Sequence, residues 1–272
     1  MNSTTFLYSL LSMGGIGLFF SILIAVANKK LHVEEDPRIS LIAECLPGAN
    51  CGSCGYAGCN NFAEALAGGK SQISNCPVCS PSAREEIARI LGVSVEIGER
   101  QVAVVFCQGG DDVATKKAEY RGIKTCSAAN LVSGGERACS YGCIGLGDCV
   151  AVCPFDAIHM DENNLPVVDR AKCTGCGNCV TACPRGIIEL HPISHHVFVL
   201  CRNRDIGRIA RTVCKRACTG CLLCEKAVNG QGFKVVDNLA VVDHDVYTKE
   251  LVLPTEKCPT KAIVILGTKD EH

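Results

Sequence analysis

The chain has 272 residues, a formal net charge of −1 and 22 cysteines, with no tryptophan. Balanced charge gives no sign of a nucleic-acid binder and names no partner by itself. The length is enough for two or three domains, and the cysteines recur in C-x2-C runs, which excludes a small secreted disulfide scaffold and points to thiolate–metal chemistry in a reducing compartment.

The N-terminal stretch comes first. Phe6 to Ala27 carries no charged residue. As a helix it would span about 33 Å, enough for a hydrocarbon core of about 30 Å. A cleaved signal peptide usually has a shorter apolar region preceded by positive charge, and no Lys or Arg precedes this one. Lys29 and Lys30 follow at once, so the positive-inside rule predicts an anchor in the cell's inner (cytoplasmic) membrane, with the N-terminus outside and the rest cytoplasmic. Residues 1–30 are read as the anchor and 31–40, with Pro37, as a linker.

Residues 41–80 form a first cysteine module, ECLPGANCGSCGYAGC with NCPVC downstream. Cys51, Cys54, Cys59 and Cys76 are the expected ligands of a [4Fe–4S] cluster. Glycines between them let the backbone wrap a cluster closely. Asn60–Ala67 is predicted as a short helix packed through Phe62 and Leu66. Cys45 and Cys79 are left over, as small buried hydrophobes or substitute ligands.

Residues 81–133 read as a connector. Ser82-Ala-Arg-Glu85 resembles a capping box opening a helix that ends at Gly92, and Gln101–Phe106 reads as a strand. Cys107 and Cys126 lack a C-x2-C partner. They are open to reading as buried thiols, ligands of an unusual site or a redox-sensitive pair.

Residues 134–192 carry the most specific pattern. Cys173, Cys176, Cys179 and Cys183-Pro have the C-x2-C-x2-C-x3-C-P spacing of two-cluster ferredoxins, in which the cysteine before proline ligates the other cluster. Cys153 should therefore join Cys173, Cys176 and Cys179, and Cys183 should join the first run. In that run Leu146 occupies the place of a middle cysteine. Cys139 can supply the missing thiolate if the loop folds back, giving Cys139, Cys143, Cys149 and Cys183. Hairpin strands at 157–160 and 165–169 and a closing strand at 187–191 complete a βαββαβ pattern. Isolated C-x2-C pairs would also suit zinc, but three close cysteines with a remote Cys-Pro suit a cluster better.

Residues 193–272 repeat the theme in degenerate form. VFVLC echoes VAVVFC, and CKRACTGCLLC echoes CSYGCIGLGDC. Val228 stands where a Cys-Pro cysteine is expected, and 245–253 holds no triplet. One cluster remains, through Cys218, Cys221, Cys224 and Cys258, with Cys214 a substitute ligand and Cys201 structural. A hairpin is expected at 234–236 and 240–243. Arg202, Arg204, Arg208, Arg211, Lys215 and Arg216 form a basic stretch that would steer an acidic redox partner or simply face solvent.

The fold class is thus α+β: one N-terminal transmembrane helix, a four-cysteine Fe–S module, a ferredoxin-like two-cluster domain and a degenerate one-cluster repeat, with four [4Fe–4S] clusters in all. ECLPGANCGSCGYAGC, CSYGCIGLGDCVAVCPFDAI and KCPTKAI together resemble the B subunit of the Rnf complexes along essentially the whole chain. The resemblance implies a part of a ferredoxin-dependent, ion-translocating oxidoreductase, commonly ferredoxin:NAD. Reduced ferredoxin would deliver electrons to it, and it would pass them to other Rnf subunits. No G-x-G-x-x-G follows a strand and no charge interrupts the anchor, so hydride transfer and ion passage are assigned to partner subunits and the chain holds no complete active site. The first module also resembles one in corrinoid iron–sulfur proteins. A membrane-bound reductive activator of a corrinoid protein is therefore one rival reading, and a redox-sensing scaffold is another.

Overall fold

The computed structural model describes residues 3–30, 36–94, 98–245 and 254–267. Helix α1 (Ser3–Lys30) carries the apolar segment. Its stretch Leu10–Lys30 is long and apolar enough to cross a membrane and is nowhere buried against the rest of the chain. Part of the expected linker, 31–35, lies outside the described residues. The remainder is not a linker: Asp36 caps helix α2 (Pro37–Cys45), and Pro37 sits in its first turn, where no amide donor is needed.

The first module packs α2, α3 (Cys59–Ala67) and α4 (Pro81–Leu91) around Ile42, Phe62, Leu66, Ile73 and Ile87. Helix α3 presents Phe62 and Leu66 to that core as the sequence predicts. Helix α4 starts earlier than the apparent capping box, because Ser80 and not Ser82 accepts from the Ala83 amide. Gly92 closes it in the left-handed region at φ 68°.

The expected connector does not exist as a separate piece. Its helix α4 belongs to the first module, and its strand β1 (Gln101–Val105) pairs antiparallel with β4 (Ile188–Pro192). Short apolar strands need a partner edge, and β4 supplies it. Between them lie α5 (Cys126–Leu131), α6 (Asp148–Ala151), the hairpin β2 (Ile158–Met160)–β3 (Pro166–Val168) and α7 (Asn178–Ala182). From β1, omitting α5, the order is βαββαβ.

The C-terminal third repeats the paired outer strands and the hairpin, with no helix between hairpin and closing strand among the described residues. Strand β5 (Val197–Val199) pairs with β8 (Ile263–Ile265), and β6 (Phe233–Val236) forms a hairpin with β7 (Leu239–Val242). Helices α8 (Gly207–Val213) and α9 (Leu223–Ala227) lie between. Val228, in place of a cysteine, is buried in this unit's core beside Phe233. The two units meet where Phe198 packs edge-on to Phe106, ring centroids 6.1 Å apart.

Candidate metal centres

In the first module, Cys51 and Cys54 lie on the loop entering α3, Cys59 opens that helix, and Cys76 follows the turn at 73–75. Asn50 holds this loop in shape. It adopts φ 46°, and its Oδ1 accepts from the Cys59 amide at 2.8 Å. A Cβ on Gly58 would fall 2.9 Å from that oxygen and would push the Asn50 side chain away from the Cys59 amide. Burial pushes the Cys76 thiol up, and Cys54 and Cys51 add to the shift, which places them nearby. Cys79 is buried in the same core, with Cys45 packed against it.

A cavity of about 310 Å3 is lined by Cys153, Cys173, Cys176 and Cys179. These are the four that ferredoxin spacing groups together. The Ala103 amide of β1 donates to Cys173 Sγ at 3.4 Å. The Thr174 hydroxyl on the wall is buried with no partner among the described residues.

The neighbouring cavity, about 360 Å3, is lined by Cys126, Cys143, Cys149 and Cys183. Here the structure departs from the expected set of Cys139, Cys143, Cys149 and Cys183. Asp148 pins the start of α5 beside α6, accepting from the amides of Cys126 and Ser127 at 2.7 and 3.0 Å. That brings Cys126 to the wall that Leu146 leaves without a thiol. Burial would raise the Asp148 pKa, but these donors outweigh it and hold the carboxylate below its usual range. Cys139 lines a different cavity, with Cys107, Cys201 and Cys214.

In the second unit a cavity of about 340 Å3 is lined by Cys218, Cys221, Cys224 and Cys258. Backbone amides again point at sulfur: Ala240 to Cys218 at 3.4 Å and Ala262 to Cys258 at 3.3 Å. Thr219, at the position matching Thr174, also keeps a buried hydroxyl with no partner among the described residues. Cys221 is exposed.

These walls fit iron–sulfur clusters. Each offers four sulfurs, and the two ferredoxin-pattern cavities also offer amides aimed at sulfur and a spare hydroxyl for cluster sulfide. Burial, more than any neighbour, pushes Cys143 and Cys179 up to about 12 and Cys149 and Cys224 up to about 11. Thiolates there need a bound cation to form at neutral pH. When bound, the clusters supply one-electron redox chemistry.

The centres also adjoin one another. Cys51 adds to the raised pKa of Cys176, and Asn178 exchanges hydrogen bonds with Ser53 and the Cys51 carbonyl at 3.3 and 3.4 Å. Cys149 adds to that of Cys179. A grouping the sequence did not flag lies elsewhere: His191, His195 and His244 bring ring nitrogens within 4.8 Å of one another.

A family model described as an Fe-S cluster matches residues 46–78, and one described as a 4Fe-4S dicluster domain matches residues 138–187. The chain is 44% identical to the B subunit of the Na(+)-translocating ferredoxin:NAD(+) oxidoreductase complex of Acetobacterium woodii, over 92% of this chain and 75% of that one. It is 37% identical to the B subunit of the ion-translocating oxidoreductase complex of Methanosarcina acetivorans, covering 96% and 98%. It is 40% identical to the B subunit of the proton-translocating ferredoxin:NAD(+) oxidoreductase complex of Clostridium ljungdahlii, covering 97% and 94%. The chain belongs to the family of Rnf B subunits. As such it is an iron–sulfur, electron-transferring part of an ion-translocating oxidoreductase complex, and α1 suits its attachment to the membrane.

Proposed function

We propose that this Rnf B subunit accepts electrons from reduced ferredoxin and relays them through [4Fe–4S] clusters to other subunits of its complex. The assigned ligand sets are Cys51, Cys54, Cys59 and Cys76; Cys126, Cys143, Cys149 and Cys183; Cys153, Cys173, Cys176 and Cys179; and Cys218, Cys221, Cys224 and Cys258. The observation that carries the reading is the succession of four-cysteine cavities of similar size, 310 to 360 Å3, through both ferredoxin-like units. The first module adjoins the Cys176 site through Asn178, and Cys221 of the second unit is exposed.

Ferredoxin docks on the second unit, where Cys221 is exposed. Arg208, Arg211 and Lys215 are exposed on and after α8, beside the exposed Ile209, and suit an acidic protein surface. With Lys29 and Lys30 ending α1, both units lie on the cytoplasmic side. Mixing the full-length chain, purified without oxygen, with reduced ferredoxin should bleach its visible absorbance within the mixing time of a stopped-flow instrument. Clusters that stay oxidised would rule out the accepting role.

A further inference from the structure

The cavity that takes Cys139 lies at the junction of the two ferredoxin-like units. It measures about 390 Å3, against 310 to 360 Å3 for the three described above. Its wall holds Cys107, Cys139, Cys201 and Cys214, none of which belongs to the sets already assigned, and all four are free thiols. A Cβ on Gly109 would lie 3.4 Å from Cys214 Sγ and 3.5 Å from Cys107 Sγ. One on Gly142 would lie 3.4 Å from Cys139 Sγ and 3.5 Å from Cys107 Sγ. The sulfurs therefore converge on one space.

The four obey the internal repeat. Cys107 follows β1 closely as Cys201 follows β5, and Cys139 precedes Cys143 by the interval at which Cys214 precedes Cys218. The hydrogen bonds obey it too. Cys107 Sγ accepts from the Gly109 and Cys143 amides, both at 3.3 Å. Cys201 Sγ accepts from the matching amides of Asn203 at 3.4 Å and Cys218 at 3.3 Å. Buried Asn203 donates its side-chain amide to Cys139 Sγ at 3.4 Å. Each unit thus contributes an equivalent pair of cysteines with equivalent donors. Backbone pairing between 113–115 and 213–215 locks the halves together.

We propose that Cys107, Cys139, Cys201 and Cys214 hold a further [4Fe–4S] cluster that joins the two ferredoxin-like units. The inference rests on reading the other cavities as cluster sites. Amides aimed at sulfur are the feature shared with those sites, and they tune and stabilise thiolate-bound clusters. Zinc, which takes four sulfurs at about 2.3 Å around one ion, is the rival occupant that metal analysis separates. Arg137 and Arg216 on the wall offset the charge of a four-thiolate cluster. Cys143 lines both this cavity and the adjacent one, and the Cys218 amide bonds to Cys201, so the site stands between the assigned clusters of the two units. It would take one electron from one side and pass one to the other.

The full-length chain, purified in detergent without oxygen, is assayed for iron, sulfide and zinc. Five clusters predict about 20 iron atoms per chain, and a Cys107→Ala/Cys214→Ala variant about 16. About 16 iron in both, or about 16 iron with one zinc in the wild type, overturns the proposal. Asn203→Asp covers the case in which the double variant does not fold. Replacing the donor to Cys139 with a carboxylate should move the midpoint potential of one cluster to more negative values and leave the others, and no shift overturns the proposal. A Cys218→Ala/Cys258→Ala variant run in parallel separates the two readings. If it loses about four iron and the Cys107 pair loses none, only the junction cluster falls; if neither loses iron, the wider reading falls with it.

Discussion

Cys126 and Cys139 show how much depends on single residues. Both stand outside the regular spacing, and either could replace the thiol missing at Leu146. Asp148 holds the Cys126 amide at 2.7 Å, and Cys126 lines the cavity of Cys143, Cys149 and Cys183 while Cys139 does not. If the two serve different clusters, Cys126→Ala and Cys139→Ala should each cost about four iron atoms and the double variant about eight. If they share one cluster the double variant loses only about four, and iron analysis tells these apart. Arg137 is the other decisive residue. It is 4% exposed, pairs with Asp111 at 2.9 Å and donates to the carbonyls of Cys143, Asn163 and Asn164 at 3.2, 2.9 and 3.0 Å. Arg137→Met would leave the Cys143 and Asn164 carbonyls without a donor and remove the nearest cation from Asp111, and we expect a loss of about 3 kcal/mol in denaturant unfolding of the cluster-loaded protein.

At the scale of elements, a βαββαβ unit is followed by a second unit that repeats its outer strand pair and hairpin, and the cluster loops of both press against a strand or hairpin. Gly175, at φ 70°, would place a Cβ 2.5 Å from the Gln101 carbonyl of β1. Gly220, its counterpart at φ 63°, would place one 2.8 Å from the Asn238 carbonyl in the β6–β7 turn. Gly175→Ala should cost about 1–3 kcal/mol in strain and speed loss of the Cys173–Cys179 cluster in air, read from the decay of visible absorbance. Most of these elements were legible in the sequence. The ferredoxin spacing is local, so it names ligands and flanking strands together, and β1 to β4, β6 and β7 fall within a few residues of their expected places. The connector was not legible, because β1 finds its partner β4 far along the chain and α4 packs backward onto the first module. The junction cavity escaped for the same reason: its four cysteines come from four separate segments and form no motif. The repeat that relates them was visible as VAVVFC and VFVLC, but a repeat alone does not bring its two halves face to face. On α8, Arg208 and Arg211 lie one turn apart and exposed. Reversing both to Glu should slow reduction by ferredoxin at low salt on the order of tenfold, with the difference shrinking as salt rises. An unchanged rate would place docking elsewhere.

For the whole molecule, the clusters are part of what holds the fold together. The described residues form four two-stranded sheets and several short helices, and buried cysteines are part of each apolar core, most of all in the first ferredoxin-like unit. A two-stranded sheet is marginal on its own, and a module of some forty residues seldom supplies enough apolar burial to stand alone. Without metal, the thiols that line the cavities would face one another with nothing between them, and the loops carrying them would lose their common anchor. The helix α1 is exempt, since its hydrogen bonds are internal and its apolar surface suits lipid. Removing iron under anaerobic conditions with a chelator and an oxidant should therefore abolish the cooperative calorimetric transition of the ferredoxin-like units, while the helical circular dichroism from α1 persists in detergent. Restoring iron and sulfide should bring the transition back. An iron-free chain that melts at the same temperature as the loaded one would show that the clusters only carry electrons and that the polypeptide packs without them.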